Sequence, residues 1–173
     1  MDLKNCIPVV PDWPVPGVNF LDITGILENP RAFAQTTNWL TSQVRAFDAT
    51  SIVAIESRGF PLAAVAAKAL GLPLVLARKK DKLPGKVFTK TYDTEYSKDS
   101  ISIKQSSPVG NRPYIVDDIL ATGGTALAAA ELLKENWAIE QTACGIIISL
   151  EFLPGRQQLA NNQIHLDTLL NYE

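Results

Sequence analysis

Uncharged runs recur along this chain, and each leads into a short polar cluster followed by a helix-forming stretch. Ser51 to Ile55 is apolar after its first residue, turns polar at Glu56-Ser57-Arg58, and gives way to an alanine-rich segment from Pro61 to Leu70. Leu74 to Ala77 repeats the pattern and ends in Arg78-Lys79-Lys80. A strand is expected at 114–117, where Tyr114-Ile115-Val116 carries no charge, and strong helix formers occupy Ala126 to Leu133. Further strands are expected at Ala143 to Leu150 and near Ile164 to Leu170. Asn29-Pro30 is a helix start signal, which predicts a helix from about 30 to 46 with Phe33, Trp39, Leu40 and Val44 as candidates for its buried face. Alternating strand, loop and helix predict an α/β fold: a parallel sheet with helices on both faces, whose ligands gather at the carboxyl ends of the strands. The polar clusters at 56–60, 78–82 and 117–125 all fall at such ends.

Two stretches break this rhythm. Residues 7 to 19 contain Pro8, Pro11, Pro14, Pro16 and Gly17, which exclude a regular helix or central strand and predict an extended, pinned flap. Between 80 and 106 a turn at Lys82-Leu83-Pro84-Gly85 precedes two alternating segments, Val87-Phe88-Thr89 and Ile101-Ser102-Ile103, so a mobile β-hairpin or lid is expected. At 173 residues the chain is expected to form one domain, with residues 1–28 as a hood segment and 80–106 as the lid.

The loop after the central strand carries the most chemistry. Ala121-Thr122-Gly123-Gly124-Thr125 opens a helix, and the first N–H groups of a helix lack partners and sit at its positive end, so the loop favours an anion. Gly123 and Gly124 let the main chain approach phosphate oxygens, while Thr122 and Thr125 can donate hydroxyls or cap the helix. Asp117 and Asp118 lie just before that cradle, where the ribose hydroxyls of a 5'-phosphorylated sugar would fall. A nucleotide P-loop would need Lys-Ser or Lys-Thr after its last glycine, and Thr125-Ala126 stands there; no Gly-x-Gly-x-x-Gly occurs in the loop either.

Composition narrows the partners. A formal charge of −2 argues against a general nucleic-acid binder, and 46% hydrophobic with 20% charged residues is ordinary for a globular protein. Without a long apolar stretch or a basic-then-apolar N-terminus, neither a membrane partner nor a signal peptide is expected, and a cytoplasmic location follows. Cys6 and Cys144 read as reduced thiols, and the single histidine, His165, as structural. Positive charge is nonetheless concentrated: Arg78, Lys79, Lys80, Lys82, Lys86 and Lys90 fall within thirteen positions, which beside a phosphate loop suggests a second anion site.

With those residues in place, the chain resembles the type I phosphoribosyltransferases, and within them the adenine branch, over nearly its whole length. Val-Asp-Asp-Ile-Leu-Ala-Thr-Gly-Gly-Thr at 116–125 is similar to that family's motif for 5-phosphoribosyl pyrophosphate (PRPP). Glu-Ser-Arg-Gly-Phe at 56–60 looks like its pyrophosphate-side loop, and Arg-Lys-Lys-Asp-Lys-Leu-Pro-Gly at 78–85 its basic entry to a flexible loop. Pro-Asp-Trp-Pro-x-Pro-Gly-Val at 11–18 and Glu-Tyr at 95–96 narrow the match to the adenine branch. The resemblance implies a parallel-sheet fold with an N-terminal hood and a flexible hairpin lid, a homodimer, and magnesium-assisted transfer of 5-phosphoribosyl from PRPP to N9 of adenine.

By position, Ala121 to Thr125 would hold the 5'-phosphate, and Asp117 and Asp118 the ribose hydroxyls. Arg58, Arg78, Lys79 and Lys82 would neutralise pyrophosphate, with Ser57 in the same loop as Arg58. Glu95 would serve a purine ring nitrogen as acid or base, and Tyr96 would shield the reacting centre from water. Val18 and Phe20 would wall the base, although Phe20 reads nearly as well as core. Magnesium would be held mostly by substrate oxygens and water, with the aspartates near its outer shell. The chain departs from the family pattern at Leu21, where Arg or Lys is usual, and at Gly25, where Pro is frequent. If main-chain groups read the base edge, Leu21 leaves recognition intact; if the basic side chain matters, base preference shifts. The alternatives are transfer to another 6-substituted purine such as hypoxanthine, which needs a donor toward O6 where adenine needs an acceptor, and a PRPP-sensing regulator without catalysis. The basic segment with Glu95, and the lack of an appended DNA-binding segment, weigh against the regulator.

Overall fold

The computed structural model of this protein describes residues 1–13, 15–93 and 98–173. Its centre is a seven-stranded sheet built from β3 (Ser51–Ile55), β4 (Leu74–Lys79), β5 (Val87–Asp93), β6 (Lys98–Lys104), β7 (Pro113–Leu120), β8 (Ala143–Leu150) and β9 (His165–Tyr172), in the order β5-β6-β4-β3-β7-β8-β9. The five strands from β4 to β9 in that order are mutually parallel, and β5 and β6 add an antiparallel extension at the β4 edge. The predicted hairpin is therefore an outgrowth of the main sheet at its stem, with Arg78 opposite Ser102 and Lys79 opposite Ile101.

Every residue of β3 is buried, as is nearly all of β8, because helices cover both faces. Alternation along the strands divides the core in two. Val53, Ile55, Ile115, Cys144 and Ile146 pack with α4 (Gly124–Asn136) and with Leu159 of α5 (Gly155–Asn161). Ile52, Ala54, Tyr114, Val116 and Ile147 pack on the other face with α2 (Pro30–Ala46) and α3 (Gly59–Leu70). In α2 the start signal acts as expected: the Asn29 side chain accepts from the N–H groups of Arg31 at 3.0 Å and Ala32 at 3.1 Å, and Pro30 takes the first turn. Leu40 and Val44 are fully buried, whereas Phe33 and Trp39 flank the core in part.

The proline-rich segment is pinned by a two-rung antiparallel ladder between β1 (Val9–Val10) and β2 (Phe20–Leu21). A short 3-10 turn at Leu3–Cys6 precedes it, and α1 (Thr24–Glu28) follows. Gly25 has a physical reason here: a Cβ at that position would run into the carbonyl of Cys6, so the N-terminal turn packs directly on the α1 backbone. Both cysteines are free, and among the described residues no helix is long and apolar enough to cross a membrane.

Strand β7 continues beyond its expected end at 117. Pairing with β3 stops at Val116, but pairing with β8 goes on through Ile119 and Leu120. The overhang from Asp117 to Leu120 thus has a strand neighbour on one side only, and a cleft opens on the other.

Candidate active site

A cleft of about 440 Å³ lies over the carboxyl ends of β3, β4 and β7. One wall is the hood, through Val18, Asn19, Phe20 and Leu21, joined by Leu150 and Leu153. The opposite wall is the hairpin stem, through Tyr92, Asp99, Ser100 and Ile101. Between them the floor carries Glu56, Arg58, Arg78, Lys79, Asp117 and Asp118.

The aspartates lead straight into the glycine loop. Gly123 stands at the N-cap of α4 with φ +87°, a left-handed conformation that glycine adopts without the steric cost a Cβ brings. Ala121 to Thr125, together with Asp117, surround a smaller cavity of about 90 Å³ beside the main cleft. The loop is braced from below, since Gly155 N–H donates to the Ala121 carbonyl at 3.1 Å and a Cβ on Gly123 would meet Gly155 Cα at 3.0 Å. Close approach to the backbone also explains Gly59, where a Cβ would lie 2.5 Å from the Val116 carbonyl oxygen and push α3 away from β7.

Each cation of the cleft is already partnered. Arg58 Nε donates to Asp118 Oδ2, and its guanidinium lies 5.0 Å from the centre of the Phe20 ring. Arg78 is bidentate on Glu56, with Nη2–Oε1 at 2.8 Å and Nε–Oε2 at 3.2 Å, and the Lys79 N–H reaches the same carboxylate at 3.1 Å. The Arg78 hydrogen bonds hold the Glu56 carboxyl below its ordinary value of 4.5. Lys79 Nζ sits 3.0 Å from Asp99 Oδ2, which raises the lysine further. Asp117 moves the other way: burial, then the charge of Asp118 beside it, push its carboxyl well above 3.8. Two adjacent carboxylates of which one resists ionisation form a site that gains from added positive charge or from hydroxyl donors.

Of the residues expected from sequence, Val18, Phe20, Arg58, Arg78, Lys79, Asp117, Asp118, Ala121 and Thr125 line the main cleft. Thr122, Gly123 and Gly124 line the adjoining cavity. Ser57 and Lys82 are exposed and are not among the lining residues; Lys82 contributes through its carbonyl, which accepts from Arg78 Nη1 at 3.0 Å. Glu95 and Tyr96 lie outside the described residues. Phe20 is at once wall and packing partner, with the Trp13 ring 4.4 Å away. Sequence reasoning gave no separate role to Glu56, Tyr92, Asp99 or Gly155. A clue existed for Glu56 in its place at the end of an apolar run, whereas Asp99 and Gly155 act through partners distant in sequence.

A match to the phosphoribosyl transferase domain family spans residues 22–144, which includes every charged residue of the cleft floor. The adenine phosphoribosyltransferase of Frankia casuarinae is 45% identical over 159 residues, 91% of this chain and 84% of that one. This chain belongs to the adenine phosphoribosyltransferase family. Solved structures from the same family share its architecture. The APRTase of Giardia lamblia complexed with 9-deazaadenine superposes with a TM-score of 0.93 at 32% identity, covering 99% of this chain and 97% of that chain. The adenine phosphoribosyltransferase of Saccharomyces cerevisiae, complexed with an imino-altritol bisphosphate and adenine, gives 0.88 at 36% identity, covering 98% and 97%.

Proposed function

We propose that this enzyme transfers the 5-phosphoribosyl group of PRPP to N9 of adenine, releasing AMP and pyrophosphate. The observation that carries this reading is the β7 overhang: it sets two aspartates beside a glycine loop at a helix N-terminus, inside a cleft whose far wall is the largely apolar hood. A phosphate ester in the loop, ribose hydroxyls on the aspartates and a flat base against Val18 and Phe20 make one continuous ligand of the right polarity. Family membership supplies the base and the donor.

The chemistry follows from charge control. As pyrophosphate leaves the anomeric carbon, the sugar gains cationic character and the leaving oxygens gain negative charge. Arg58 and Lys79 neutralise the leaving group by exchanging their carboxylate partners for its oxygens, while Arg78 stays on Glu56 and stiffens the end of β4. Asp117 and Asp118 accept from the ribose hydroxyls and hold the ring as it flattens. Glu95 serves the purine nitrogen, and Tyr96 excludes water beside it. The β5–β6 hairpin closes over the substrates as a lid, and the hood forms the other half of the enclosure, both within one domain.

The hard oxygen donors of Asp117 and Asp118 would suit a magnesium ion held mostly by water and substrate oxygens, whose charge would offset the repulsion between the two carboxyls. Bound there, the ion would add positive charge at the pyrophosphate oxygens. We infer a cytoplasmic homodimer, and exposed apolar side chains at Val9, Trp13 and Val15 support an interface between copies. A base panel tests the function: PRPP and magnesium with adenine, hypoxanthine, guanine or xanthine, measuring nucleotide and pyrophosphate. AMP from adenine alone is expected. Preferential use of hypoxanthine would reassign the base, and ligand binding without pyrophosphate release would make the protein a sensor.

A further inference from the structure

Tyr92 reaches from the hairpin stem onto the phosphate loop. Its phenolic oxygen lies 3.1 Å from Thr125 Oγ1, and its ring lies against the loop backbone, 3.5 Å from where a Cβ on Gly124 would stand. The strand that carries it is anchored as well. Two residues earlier, Lys90 Nζ pairs with Glu131 Oε2 at 2.9 Å and also with Glu135, which binds β5 along α4. Directly across the hairpin stands Asp99, which holds Lys79. One rung of the stem therefore touches both anion-facing parts of the cleft.

The direction of the Tyr92–Thr125 hydrogen bond is decided by what the loop binds. A phosphate ester oxygen can only accept, so a Thr125 hydroxyl that contacts it must donate its single proton there. The phenol must then donate into the Thr125 oxygen. Burial raises Tyr92 above the ordinary phenol value of 10.0, so it keeps the proton this requires. Hydrogen bonds in such a chain strengthen one another, because each donor is polarised by the bond it accepts.

We propose that Tyr92 is a positioning residue for the 5'-phosphate: its phenol orients the Thr125 hydroxyl toward the ester and ties the hairpin stem to occupancy of the loop. This deepens the function proposed above and rests on the same ligand. Ribose 5-phosphate and, separately, pyrophosphate are titrated calorimetrically into the wild type, Tyr92→Phe, Thr125→Val and the double variant. Phenylalanine keeps the ring and its packing. Loss of one hydrogen bond should weaken ribose 5-phosphate roughly three- to ten-fold in Tyr92→Phe and leave pyrophosphate unchanged. In the Thr125→Val background, Tyr92→Phe should cost nothing more. Steady-state kinetics should show KM for PRPP raised by the same factor, with kcat and KM for adenine near wild type. Unchanged ribose 5-phosphate affinity in Tyr92→Phe, an additive loss in the double variant, or equal loss for both ligands would each overturn the positioning role. A wild type that binds no ribose 5-phosphate would instead overturn the functional reading itself.

Discussion

At the residue scale, the cleft is governed by carboxylates whose neighbours pull their ionisation in opposite directions. Replacing Asp118 by Asn removes the charge that helps to raise Asp117, so Asp117 should ionise at lower pH in that variant, as read by carboxyl carbon NMR. Turnover should fall far more than stability in the same protein. Arg58→Ala should raise KM for PRPP and destabilise by about 1–2 kcal/mol in denaturant titration, because a buried Asp118 is left without its guanidinium. An unchanged KM would remove Arg58 from the pyrophosphate end. Glu56 gives the pH dependence its sign. Its folded value is depressed, so its contribution to stability is present above about pH 4.5 and is lost as pH falls. Glu56→Gln should therefore flatten the loss of stability measured below that pH. Asp117 opposes this: with a raised folded value it favours the fold below about 3.8, and that contribution fades as pH rises.

At the scale of elements, legibility tracked how local the signal was. Helix α2 was readable from end to end because Asn29-Pro30 starts it and an apolar stripe follows. The local pattern ends β7 too early, since its last residues are held only by β8, a strand more than twenty positions away. Helix α5 has no local signature: seven residues beginning at Gly155, with Leu159 buried, show too little periodicity to announce a helix. In the candidate site, the glycine loop and its aspartates were legible because one stretch of chain supplies them all. The pairing of Arg58 with Asp118, sixty residues apart, and of Arg78 with Glu56 depends on strand order and could not be read locally. The bracing of the loop by α5 makes a sharp prediction. Gly155→Ala would force a methyl into the Ala121 carbonyl, so ribose 5-phosphate binding should fall at least ten-fold while adenine binding, at the hood, is spared. Equal loss of both ligands in calorimetry would point to general unfolding instead.

At the scale of the whole molecule, the order β5-β6-β4-β3-β7-β8-β9 gathers the hood, a hairpin and three strand ends around one opening. The formal charge of −2 says nothing of an anion site, because the cations of that opening are matched by Glu56, Asp99 and Asp118. Those tethered counter-ions act as resident competitors. At the pyrophosphate end, a stray monoanion or sulfate would have to evict a carboxylate that is covalently part of the protein, with few new contacts in return. A donor that engages the glycine loop, the aspartates and the pyrophosphate end together displaces Asp99 and Asp118 from their cations cooperatively. Monovalent salts should thus compete only weakly at the pyrophosphate end, at concentrations far above those at which PRPP saturates the enzyme. At its pyrophosphate end the resting protein is insulated from the commonest anions around it by its own acids.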